Sequence, residues 1–138
     1  MRESSVSKKL MLFLSRAGEV LFRNNVGKSW ISSHFVELGN GDVLVKNARR
    51  FHSGLVDGSL DLVGWYSIII TPDMVGSKIA VFTAIDSKHS DGGNRKKKNQ
   101  LNFIYQVNEA GGIAGFASSE EEAMQVLERG VSRLRTNG

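Results

Sequence analysis

The stretch KIAVFTAIDSK, residues 78–88, decides the fold. Its β-branched and aromatic residues make Lys78 to Asp86 the clearest strand signal in the chain. Towards the C-terminus, a glycine-containing basic loop (Ser90 to about Arg95) leads into a predicted helix reaching about Ala110. Gly111-Gly112 closes that helix, and Ile113 to Ala117 reads as another strand. Strand, crossover helix and strand form a βαβ unit, so the two strands should be parallel neighbours. Ser119 followed by Glu122 is a capping-box signature for a last helix, with Ala123, Val126 and Leu127 on its inner face.

Towards the N-terminus, Leu60 to Trp65 and Tyr66 to Thr71 read as extended, mostly buried segments, and Pro72 starts a turn reaching Gly76. Trp30 to Val36 and Asp42 to Lys46 are candidate strands joined by the turn signal Gly39-Asn40-Gly41-Asp42. Val20 to Arg23 is a short strand leading into the turn-prone Asn24-Asn25-Val26-Gly27. Val6, Leu10, Phe13, Leu14 and Ala17 fall at helical spacing, which predicts a helix from Glu3 to about Ala17 ended by Gly18. With no internal repeat and no linker, the expectation is one α/β domain over residues 1–138.

The composition, 41% hydrophobic and 23% charged over 138 residues, suits one globular core. The absence of cysteine excludes disulfides, thiolate metal sites and a cysteine nucleophile, and fits a reducing cytosol. No apolar run approaches the roughly 20 residues of a membrane span, and no cleavage site follows Leu10 to Leu14, so neither a span nor a secretory signal is expected. The net charge of +4 is concentrated in Arg95-Lys96-Lys97-Lys98, Arg49-Arg50 and Lys8-Lys9. Such clusters suit a polyanion, though a charge run is also an ordinary solvated face.

Four polar residues stand where the pattern calls for apolar ones. Glu3 shares a helix face with Val6, Ser7 and Leu14; a first-turn carboxylate favoured by the helix dipole is the alternative reading. Asp61 lies between Leu60 and Leu62, where a purely structural aspartate needs a buried partner. Asp86 ends its strand, and Lys88, two residues on, points to the same side; a simple strand-end ion pair is the alternative. Gln100 shares a helix face with Phe103 and Val107, as a satisfied core glutamine also would. Together, acids from separate segments and the Ser87 carbonyl form an oxygen-rich set suited to Mg²⁺. Such an ion polarises a phosphoryl oxygen and activates water, and a neighbouring lysine offsets the charge that develops, which is phosphodiester hydrolysis chemistry.

In order along the chain stand Phe22-Arg23-Asn24-Asn25-Val26-Gly27, Gly58-Ser59-Leu60-Asp61-Leu62-Val63-Gly64-Trp65, Ala84-Ile85-Asp86-Ser87-Lys88, Gln100 with Phe103, and Ala110-Gly111-Gly112-Ile113-Ala114-Gly115. With Glu3 on the first helix, this series closely resembles the virus-type replication-repair nuclease (VRR-NUC) family of the PD-(D/E)XK superfamily, in its stand-alone phage form, from Glu3 to about Ala123. Asp86 stands where glutamate is commoner, and Ser7 where the family carries a glutamine. The resemblance implies a restriction-endonuclease-like core, a mixed sheet flanked by helices, with a Mg²⁺ or Mn²⁺ cofactor. It also implies structure-selective cleavage of branched DNA by a homodimer, as in a Holliday junction resolvase, in the cytoplasm of a bacterial host. By matching position, Asp61, Asp86, Glu3 and the Ser87 carbonyl would bind metal, Lys88 would be the catalytic lysine, and Gln100 would position the site. Arg23, Asn24 and Asn25 would face DNA or support the site, and Arg95, Lys96, Lys97 and Lys98 would contact its backbone. A flap or nicked-duplex nuclease, and a DNA-binding module without catalysis, are the other readings that the residues allow. Gly111-Gly112 precedes a strand and so is not a dinucleotide fingerprint, and no Walker A lysine is present.

Overall fold

The computed structural model describes residues 3–88 and 98–136, with side chains for 5–88 and 98–135. It is a mixed α/β fold of small two-stranded sheets flanked by helices, in two compact units, Met1–Tyr66 and Ser67–Gly138.

In the first unit α1 (Glu3–Arg16) packs against β1 (Val20–Arg23). The helix ends where expected: Gly18 takes φ +86, and the amide of Glu19 returns to the Leu14 carbonyl at 3.1 Å. Ser7 is buried. Four further strands follow, β2 (Gly27–Ile31), β3 (His34–Glu37), β4 (Val43–Lys46) and β5 (Arg49–Ser53), and then β6 (Leu62–Trp65). β1 pairs antiparallel with β6, bringing the Phe22 and Trp65 rings to 5.6 Å. Gly64 is required here: a Cβ at this position would lie 1.8 Å from the Val20 carbonyl oxygen.

β2 pairs with β5 and β3 with β4, both antiparallel, so residues 27–53 form one long ribbon whose tip is the predicted Gly39–Asp42 turn. The ribbon corrects the expectation of an unbroken Trp30–Val36 strand. Its ladder is interrupted at Ser32-Ser33, where the Ser32 hydroxyl accepts the His34 amide at 3.0 Å and donates to the Lys46 carbonyl. Opposite, Asn47 takes φ +52, a conformation that carries the partner strand out of the ladder.

In the second unit β7 (Thr83–Ser87) and β8 (Ile113–Ala117) are parallel neighbours, with Asp86 opposite Phe116, as the βαβ reading requires. α2 (Lys98–Glu109) and α3 (Glu120–Thr136) pack on β8. The predicted strand from Lys78 is shorter in the fold, because the five residues of β8 can pair only five of β7. Gly111, at φ +94, turns the chain tightly out of α2, and the Ile113 amide takes the Phe82 carbonyl at 2.9 Å. The core lies here, in Val107, Ile113, Ala114 and Ala117. Asn108 ties it together, accepting the Ala114 amide at 2.9 Å and the Arg133 guanidinium at 2.8 Å. The capping box forms in a variant way: the Ser119 hydroxyl accepts the Glu122 amide, while the Glu122 carboxylate reaches back to Ser118, amide and hydroxyl.

Tyr66 to Thr71, read as buried and extended, forms no ladder among the described residues, and Ile69 is 86% exposed. An apolar run without alternation carries no information about which side is covered. No described helix is long and apolar enough to cross a membrane.

Candidate active site

Three of the candidates meet in the second unit. Asp86 and Lys88 stand two residues apart at the end of β7, so both side chains leave the same face of the β7–β8 pair. The Lys88 Nζ lies 2.5 Å from Asp86 Oδ2 and donates to Gln100 Oε1 at 3.1 Å. Gln100, in the first turn of α2, is brought there by the βαβ crossover rather than by sequence proximity. The Lys88 amide donates to the Ala117 carbonyl at 2.9 Å, fixing the residue to β8, and its ammonium lies 5.0 Å from the Phe116 ring centroid.

The burial of the pair is uneven. The Lys88 side chain is 16% exposed and that of Asp86 42%. Asp86 Oδ2 is nevertheless enclosed and takes no hydrogen bond besides its ionic contact with Lys88, so the exposure of the side chain belongs to its other atoms. Beside it lies a cleft of about 360 Å³ between β7 and α2, lined by Asp86, Asn99, Gln100, Phe103 and Ile104. Ser87 is exposed at the strand end. One carboxylate oxygen held by a lysine, the remainder open beside a cleft, is an arrangement that can bind a cation or a phosphate oxygen.

In the first unit Asp61 is exposed, one residue before β6. Its backbone is held firmly: the Asn24 amide donates to the Asp61 carbonyl at 2.8 Å. Asn24 is buried, and its side chain donates to Ser59 Oγ at 2.7 Å and to the Leu60 carbonyl at 2.9 Å, while accepting the Leu55 amide at 2.8 Å. A side chain so fully engaged supports the Asp61 loop; of the two roles open to this segment, Asn24 fits the supporting one. Gly54 allows the packing, since a Cβ there would meet the Asn25 carbonyl at 2.8 Å. Arg23 and Asn25 are exposed on either side.

Lys98 is the exposed first residue of α2; Arg95, Lys96 and Lys97 lie outside the described residues, as does the Glu3 side chain. Among the described residues, no group of three or more His, Cys, Asp or Glu lies together as a metal site. The hydrogen bond from Lys88 to Gln100, across twelve residues of sequence, and the three hydrogen bonds of Asn24 were not foreseen. A lone asparagine before a turn gives no sequence signal of which distant loop it will hold.

Comparison of the chain with models of protein families, with curated proteins and with solved structures gives no match.

Proposed function

We propose that this chain is a metal-dependent endodeoxyribonuclease that hydrolyses phosphodiester bonds in branched DNA, four-way junctions above all, as a homodimer on a restriction-endonuclease-like core. The observation that carries the reading is Lys88 held between Asp86 and Gln100, two residues that line a cleft. An ordinary strand-end ion pair needs neither a glutamine from the crossover helix nor a carboxylate with one oxygen enclosed and the rest left open.

The donor chemistry fits Mg²⁺ or Mn²⁺. In the second unit the oxygens that would hold the ion are those of Asp86 and the Ser87 carbonyl, of the kind hard divalent ions prefer. Asp61 and Glu3, in the first unit, are proposed as ligands on the sequence resemblance alone. When bound, such an ion polarises a phosphoryl oxygen and generates a nucleophilic water near neutral pH. The chain's own residues do the rest. Lys88 presents a fixed ammonium to oxygens that gain charge as the ester is attacked. Gln100 gives that ammonium a second, neutral acceptor, so its position would not depend on Asp86 alone were a cation held there. Asn24 fixes the loop from which Asp61 projects.

The test is cleavage of matched four-way, flap and linear duplex substrates with Mg²⁺ or Mn²⁺. Asp86→Ala is expected to abolish cutting and to leave DNA binding in EDTA intact. Symmetric paired incisions on the junction are the expected mark of a dimer. Unchanged cutting by Asp86→Ala would refute the proposal.

A further inference from the structure

The β2–β5 half of the ribbon has a face that the active site does not use. Its register places Lys28 opposite His52 and Trp30 opposite Arg50. Residues two apart on a strand share a face, so these four side chains stand together on one side of the ribbon. All four are exposed, Trp30 by 56%. The Arg50 guanidinium lies over the Trp30 ring, 4.9 Å from its centroid. This half of the ribbon, residues 27–31 and 49–53, has three cations and no carboxylate. Among the described residues neither Lys28 nor Arg50 forms an ion pair. The carboxylates of the ribbon, Glu37 and Asp42, lie at its far end around the tip.

We propose that the ribbon face bearing Lys28, Trp30, Arg50 and His52 is a duplex-DNA-binding surface. Exposed cations without carboxylate partners are complementary to a phosphate backbone, whose neutralisation releases counterions. A two-stranded ribbon is narrow enough to enter the major groove of B-form DNA. With one side of its ring covered by Arg50, Trp30 offers no series of open faces for unpaired bases. It instead holds the guanidinium in a fixed orientation, which suits paired contacts to phosphate oxygens. A binder of single strands would instead present a series of open aromatic rings. The proposal takes its polyanion from the nuclease reading, but binding can be measured without any cleavage.

The experiment measures binding of fluorescent duplex and single-stranded DNA in EDTA over a series of salt concentrations. Lys28→Gln/Arg50→Gln is compared with Lys8→Gln/Lys9→Gln, which removes the same charge from exposed positions on α1. The ribbon variant is expected to bind duplex about tenfold more weakly and to lower the salt slope by about 2; the α1 variant should stay near wild type. In a Trp65→Phe background Trp30 is the sole tryptophan, and its emission should change on duplex addition. Equal losses in both charge variants, tighter binding of single strands than of duplex, or binding without a change in Trp30 emission would overturn the proposal. The nuclease reading fails separately: a chain that binds duplex through the ribbon but never cuts with Mg²⁺ or Mn²⁺ leaves this surface standing. A chain that cuts normally while the ribbon variant binds as wild type removes only the surface.

Discussion

Replacing Lys88 with methionine separates a catalytic lysine from a structural one. The substitution keeps an unbranched side chain of similar length and removes the ammonium that lies over the Phe116 ring and joins Asp86 to Gln100. Its cost to stability has two parts. The ionic contact involves a carboxylate side chain 42% exposed, so solvent screening limits its worth to at most about 1 kcal/mol. The enclosed Asp86 Oδ2 then has no partner, which costs about 1–3 kcal/mol unless the carboxylate rotates towards water. Because its other atoms already reach solvent, rotation is open to it, and a total near 1–2 kcal/mol is expected. Adding Asp86→Asn removes the stranded charge and should recover part of that loss. The effect on catalysis has a different scale. A fixed cation aimed at developing charge contributes about a hundredfold to a thousandfold in rate. Urea unfolding gives the first quantity, and single-turnover cleavage of a four-way junction under saturating enzyme gives the second. Lys88→Met should remain folded and bind DNA while cutting at least about a hundredfold more slowly. Cleavage within tenfold of wild type would refute the catalytic assignment, and the Asp86–Lys88 contact would then be an ordinary strand-end pair.

Three further outcomes follow from the geometry. Gln100→Leu removes the neutral acceptor of Lys88 and should slow cleavage by about tenfold or more, with stability changed by about 1 kcal/mol and DNA binding retained, as cleavage and urea titrations would read. Asn24→Ala breaks three side-chain hydrogen bonds of a buried group and should cost about 2–3 kcal/mol in urea unfolding, with faster proteolysis in the 54–61 loop. Gly64→Ala places a methyl group against the Val20 carbonyl and should destabilise the β1–β6 pair by about 3 kcal/mol, visible in thermal unfolding; a loss under 1 kcal/mol would contradict the close approach of the strands.

How much of this was legible beforehand depended on the kind of signal. The βαβ unit could be read because its parts constrain one another: a β-rich strand, a helix closed by paired glycines and a strand of matching length leave only the parallel solution. The spacing of Asp86 and Lys88 placed them on one side, and the contact is found there. The ribbon was half legible. Its glycine-rich tip announced a hairpin, but Arg49–Ser53 alternates too weakly to read as a strand and is held by its pairing with β2. Tyr66 to Thr71 misled because uninterrupted apolar character is compatible with either a strand or an uncovered loop. The role of Asn24 rests on contacts more than thirty residues away, which no local pattern encodes.

In the proposed enzyme the Asp86 carboxylate, beside Lys88, would hold a divalent ion. Titration of the protein with Mn²⁺, followed by the paramagnetic signal of the free ion, addresses it without any DNA. Asp86→Asn should weaken the tight site by at least about tenfold. An Asp86→Asn protein that binds Mn²⁺ with the affinity and stoichiometry of wild type would contradict the account.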